Sequence, residues 1–217
     1  MLATLALGWA VGRGSTPIDD WFSHATGTVL GEQPRWLLTF TSGWLMLAVT
    51  VVCLVVALSR RQWALATAVL ACPFAVTAVT VVLKHLFDRR NGPYLEYPSG
   101  HTALLVAVLG MMVLVAGSAL ARIWALAAAI LLSLLGILGL VGCGYHYVTD
   151  TVGAVMLATA LVSATARLTS ACDRAAAPVG DQTHRRRRAP AAPGDTELPT
   201  THGPEGGTGR RAGGAGR

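Results

Sequence analysis

Charge is scarce in this sequence. Asp, Glu, Lys and Arg make up 13% of its 217 residues while 53% are hydrophobic, against about 25% charged in ordinary globular proteins. So few charges cannot cover the surface of a water-soluble domain, and a soluble globule is excluded. The shortage is greater in the body of the chain, because 13 of the charged side chains fall in residues 171–217. Lysine is nearly absent: Lys84 is the single one, and the other sixteen basic residues are arginines. About half of the basic residues lie from Arg174 onward, which argues against a nucleic-acid surface on the body. Cysteine pairs at metal-ligand spacing are missing too. Cys53, Cys72, Cys143 and Cys172 lie in or beside apolar runs with no CxxC, and read as small buried hydrophobes rather than as ligands or disulfides.

Long apolar runs are present instead. An uncharged run of about 18 or more residues can cross the hydrocarbon layer as a helix. Runs at 36–58, 63–83, 102–121 and 123–143 qualify, and a shorter fifth at 151–166 gains length if Asp150 and Arg167 sit at the two interfaces. Trp36, Trp63 and Trp124 stand at run ends, where an aromatic ring sits at headgroup level. Pro73, mid-run, is tolerable in a transmembrane helix as a kink. The expected fold is therefore all-α, a polytopic transmembrane helix bundle with five clear spans. Residues 2–12 are apolar but too few to span and lack the basic region of a signal peptide. They read as a sixth helix truncated at the N-terminus, in preference to an interfacial segment. Residues 14–35, with Pro17, Asp19, Asp20 and the Trp21-Phe22 pair, suit an amphipathic or re-entrant connection outside the bilayer.

Toward the C-terminus the composition turns to Ala, Pro, Gly and Arg, with four arginines at 185–188 and no apolar periodicity. This reads as a disordered tail, basic enough to be attracted to anionic lipid. The expected division is 1–170 for the transmembrane domain and 171–217 for the tail. If the spans alternate, Arg60, Arg61, Arg122, Arg167 and the tail share one side, which the positive-inside rule makes cytoplasmic. The connections 84–101 and 144–150 then face the other way. The first carries Lys84, Arg89 and Arg90 against that rule, and an anionic ligand is the natural explanation.

Those two loops also hold a concentration of titratable groups. Pro98 and Ser99 directly before an apolar helix make Ser99 an N-cap, with Gly100 allowing close backbone approach and His101 in the first turn. Free amides and the positive end of the helix dipole meet there, which makes an anion site. His146 and Asp150 are four residues apart and share a face of a helical turn. A carboxylate there can fix the imidazole tautomer and stabilise its cation, leaving the other nitrogen to attack an electrophile or move a proton.

Taken together, Lys84, the following arginines, Pro98-Ser99-Gly100-His101 at a helix start and His146-x-x-x-Asp150 before the last span resemble the type 2 phosphatidic acid phosphatase (PAP2) superfamily over roughly residues 36–168. The resemblance implies a helix bundle with its site at the extracytoplasmic interface, removing phosphate from lipid phosphates or diphosphates without a metal or other cofactor. It implies His146 as the nucleophile that forms a phosphohistidine, Asp150 orienting it, and His101 as the general acid. Lys84, Ser99 and the Gly100 amide would hold the phosphoryl oxygens. The sequence departs from the family pattern twice. Asn91 and Gly92 stand where the first motif has Arg-Pro, with Arg89 and Arg90 close enough to substitute as phosphate ligands. Leu140 stands where the third motif has an arginine, a loss worth about 100- to 1000-fold in rate by analogy with removing one oxyanion donor.

The expectation is thus a multi-pass cell-membrane phosphatase whose partner is a lipid phosphate, polyprenyl or glycerolipid, with its tail cytoplasmic. The competing reading is a non-catalytic lipid-phosphate binder or transport component, which the missing arginine favours. Retention of His101, His146 and Asp150 together favours the enzyme, because a binder needs cations but no oriented nucleophile.

Overall fold

The computed structural model describes residues 1–31, 34–91 and 93–176. Its elements are α1 Leu2–Val11, α2 Pro17–Leu30, a 3-10 segment Arg35–Thr41, α3 Gly43–Ser59, α4 Trp63–Phe87, the short strands β1 Arg90–Asn91 and β2 Tyr94–Leu95, α5 Gly100–Val115, α6 Ala119–Gly142 and α7 Val148–Ala176. Ser and Thr side chains start four of the helices by accepting a first-turn amide: Thr16, Ser42, Ser99 and Ser118. Thr16 adds a full capping box with Asp19.

These caps explain where the observed spans depart from the uncharged runs. Ser42 starts α3, so the front of the first run becomes a separate 3-10 segment. Ser118 starts α6, so the third run ends at Val115 and Arg122 falls within α6 instead of a loop. The run expected to be the shortest gives the longest helix, the 29 residues of α7. Asp150 lies in its first turn, where the helix dipole favours an anion, and the helix continues past Arg167. Helix α4 runs unbroken through Pro73. The expected tail at 171–217 begins inside α7, and residues 177–217 lie outside the described residues.

Among the described residues, four helical stretches are long and apolar enough to cross a membrane: Arg35–Ser59, Trp63–Phe87, Ala119–Gly142 and Val148–Cys172. Helix α5, with 16 residues, rises only about 24 Å, short of the hydrocarbon thickness of about 30 Å. It is the hub of the bundle, packed against α3, α4, α6 and α7. Its Thr102, Ala103, Leu105, Ala107, Val108, Leu109, Met111 and Val115 are all buried. Protein surrounds it, whereas the outer faces of the others expose large apolar side chains such as Trp44, Val52, Phe74, Val82 and Leu134. Cys53 and Cys72 are buried in this core as small hydrophobes, and all four cysteines are free.

The two ends of the bundle differ in chemistry. At one end Arg60 donates to the Val115 carbonyl at 2.7 Å and Arg122 to Ala116 at 3.1 Å, so the basic residues cap the C-terminus of α5. At the other end α2 packs on α6 and α7, the 3-10 segment packs on α6, and the β1–β2 hairpin joins α4 to α5. Tyr97, after the hairpin, is fully buried and donates to the Thr4 carbonyl of α1. A side chain at Gly153 would meet its ring at 2.5 Å, and one at Gly8 at 2.7 Å, so both glycines are needed to seat it between α1 and α7.

Candidate active site

The sequence places Lys84 and His146 far apart, and the fold brings them to one end. Lys84 comes from the last turn of α4, Gly100 and His101 from the first turn of α5, and His146 from the turn between α6 and α7. All four line a single cavity of about 840 Å³. Glu96, Tyr94 and Tyr145 line it as well. The remaining wall is largely apolar and includes Leu38, Leu104 and Leu140. The His101 and His146 ring centroids are 6.3 Å apart, room for a small tetrahedral group at their edges. Ser99 caps α5 by accepting from the Thr102 amide, and its own amide donates to the Asp150 carbonyl at 3.1 Å, tying the start of α5 to the start of α7. The Gly100 and His101 amides open the helix, where no intrahelical acceptor exists for them, and point the dipole's positive end at the cavity.

Arg89 and Arg90, read from the sequence as phosphate ligands, are placed otherwise. Arg89 is wholly buried. Its Nη1 donates to Asp150 Oδ1 at 2.6 Å and Thr149 Oγ1 at 2.7 Å, its Nη2 to Asp19 Oδ2 at 2.8 Å and the Gly14 carbonyl at 2.9 Å, and its Nε to the same carbonyl at 3.1 Å. Its guanidinium carbon sits 4.7 Å from the Tyr147 ring centroid. Every donor faces an acceptor behind the cavity wall, as a desolvated guanidinium between two carboxylates requires. Arg90 turns outward and pairs with Asp88 at 2.9 Å, both side chains being largely exposed. Among the described residues no arginine lines the cavity, and Leu140, at the position of the third-motif arginine, presents an apolar side chain to it.

Two residues of this site were missed by the sequence reading. Asp19, from α2, accepts from the Thr149 amide at 3.0 Å as well as from Arg89. Burial would raise its pKa, but the hydrogen bonds from Thr149 and Thr16 outweigh that and hold it below the ordinary value of 3.8. The signal available in the sequence was the capping box Thr16-x-x-Asp19 beside Pro17. Glu96 is the second. Its Oε2 meets His146 Nδ1 as an ion-pair partner, both side chains being buried. The only clue was an acid directly before Tyr97 and Pro98. Asp150, expected to orient His146, instead gives one oxygen to Arg89 and the other to the Tyr147 amide at 3.2 Å.

Glu96, His146 and Asp150 offer ligand atoms within 4.8 Å of one another, a spacing that could hold a cation. The set does not fit one well. Both Asp150 oxygens already accept hydrogen bonds, and the Lys84 ammonium, which donates to the Leu95 carbonyl, shares the cavity. The surroundings suit an anion.

Residues 84–174 match the family model of the PAP2 superfamily. No curated protein shows significant sequence similarity to the chain. In fold it is similar to the crystal structure of a transmembrane PAP2-type phosphatidylglycerolphosphate phosphatase from Bacillus subtilis. That likeness has a TM-score of 0.63 at 18% identity and covers 82% of this chain and 96% of the other. The segment that carries Lys84, His101, His146 and Asp150 thus matches the PAP2 superfamily, and the chain has the fold of a transmembrane PAP2-type phosphatase.

Proposed function

We propose that the protein is a metal-independent membrane phosphatase acting on a lipid phosphomonoester. The observation that carries this is a single cavity lined both by Lys84, His101 and His146 and by apolar side chains such as Leu38 and Leu104. The first group suits a phosphate and the second the hydrocarbon attached to it. In the reaction, His146 Nε2 attacks phosphorus in line and the bond to the lipid oxygen breaks, with His101 donating the proton that the leaving oxygen takes. Lys84 and the first amides of α5 neutralise the equatorial oxygens in the transition state. Water then attacks the phosphohistidine, its proton passes to His101, and inorganic phosphate leaves His146 free.

The charge of the cavity favours a monoester over a diphosphate. Lys84 is opposed by Glu96, the arginines point elsewhere and Leu140 adds nothing. A phosphomonoester carries about −1.5 to −2 near neutrality, and a diphosphate carries more than this site can balance. Phosphatidic acid and phosphatidylglycerol phosphate fit better than a polyprenyl diphosphate. Arg60 and Arg122 at the opposite end of the bundle support a cytoplasmic location for that end, and hence an extracytoplasmic site. A second reading rests on Leu140: without that arginine the site is a lipid-phosphate binder that does not turn over.

Phosphate release by the purified protein in detergent with EDTA, on phosphatidic acid, phosphatidylglycerol phosphate and undecaprenyl diphosphate, tests all of this. Release from the monoesters at least about tenfold faster than from the diphosphate is expected. Abolition by EDTA contradicts the metal-free reaction, and no release from any substrate by folded protein favours the binder. Cysteines placed at Tyr94 and Arg122, in a background without the native four, should label from opposite sides of the membrane.

A further inference from the structure

The residue expected to orient His146 is committed elsewhere, and another carboxylate stands in its place. Asp150 accepts from Arg89 through Oδ1 and from the Tyr147 amide through Oδ2. Glu96 Oε2 and His146 Nδ1 face each other as an ion-pair contact, both atoms are buried, and neither has a hydrogen-bond partner among the described residues. The backbone holds Glu96 in place. Its amide donates to the Arg89 carbonyl at 2.8 Å, and the carbonyl of the preceding Leu95 accepts from Lys84. Arg89 thus does two things at once: its side chain neutralises Asp150, and its backbone carbonyl anchors the loop that delivers Glu96. With Nδ1 against Glu96, Nε2 is the nitrogen left for chemistry at the cavity, where His146 is part of the wall.

We propose that Glu96 is the positioning residue of His146: it holds Nδ1 protonated, fixes the ring and stabilises the positive charge the ring acquires when Nε2 bonds phosphorus, while Asp150 serves the buried Arg89 cluster. This rests on the reading of His146 as nucleophile. The charged and titratable groups facing His146 are Lys84 from α4, Glu96 before α5, His101 on α5 and Asp150 on α7. Of these carboxylates only Glu96 has no cation bonded to it directly, so its removal is the change the imidazole should feel most.

The test uses the full chain, labelled with 15N-histidine in detergent micelles, with His146 assigned by the signals lost in His146→Gln. In Glu96→Gln, which keeps the side-chain shape, the His146 ring-nitrogen signals should move, because the carboxylate facing Nδ1 is gone. Glu96→Asp, the second variant, should fall between this and wild type. On phosphatidic acid, Glu96→Gln should lower kcat about 100-fold with KM within about threefold, as for loss of an interaction that matters in the transition state. His146 ring signals unchanged in both variants would overturn the proposal, as would an unchanged kcat. If wild type releases no phosphate, the phosphatase reading fails while the ring signals still decide the Glu96–His146 pairing.

Discussion

Lys84 and Arg89 lie within one short stretch of chain and end in opposite situations. The ammonium of Lys84 lines the cavity beside His101 and His146, while the guanidinium of Arg89 is enclosed behind it by Asp19, Thr149 and Asp150. One cluster faces a cavity and the other faces only protein. The difference shows that a cation placed near a motif is not thereby part of the site. Arg89 joins three segments, the N-terminal α2, the hairpin and the start of α7, and so fixes the ground on which the cavity stands. Lys84 donates to one carbonyl, has Glu96 beside it, and lines the cavity where a phosphate can meet it.

The comparison breaks most readily at Arg89. Replacement by Met leaves two buried carboxylates without their cation, and should cost about 3–5 kcal/mol of stability, read as a fall in unfolding temperature in detergent. Asp19→Asn should cost less, about 1–3 kcal/mol, because the amide keeps the shape and one acceptor. Its pH profile is more telling. Since the Asp19 pKa is lowered in the folded protein, its stabilisation is present above the ordinary carboxylate value and lost as pH falls through the lower folded value. Wild type should therefore lose stability below about pH 4, and Asp19→Asn should lose less over the same interval, measured by unfolding at each pH.

The cavity side of the comparison is sharpened by Leu140→Arg, which adds a cation where the wall is now apolar. One charge-assisted contact should raise turnover of a diphosphate relative to a monoester by about tenfold, measured as the ratio of phosphate release from undecaprenyl diphosphate and phosphatidic acid. The smallest effect belongs to Arg90. Its pair with Asp88 is exposed, and Arg90→Ala should change stability by less than about 1 kcal/mol in the same unfolding assay.

Much of this was readable in one sequence because it is local. The apolar runs located the bundle, and Ser99, His101, His146 and Asp150 stood at recognisable spacings. Ser42 and Ser118 show what run length hides: a capping hydroxyl inside an uncharged stretch divides it as firmly as a charge does. Asp19 and Glu96 were not legible in their roles, since those roles come from partners far along the chain, Arg89 and Thr149 for the one and His146 for the other. An aspartate four residues from a histidine looks like its natural partner until a buried arginine from elsewhere claims it. The family match over residues 84–174 does not reach Asp19, so this support for the site comes from the part of the chain where local patterns had least to say.

The central claim is that His146 carries the phosphoryl group. Rapid quenching of the purified full-length protein with phosphatidic acid labelled with 32P in its phosphate should trap acid-labile, alkali-stable label on the protein. That label should be absent from His146→Ala, whose phosphate release should fall by about 1000-fold or more. Label retained by folded His146→Ala, or release at the wild-type rate, would contradict the account.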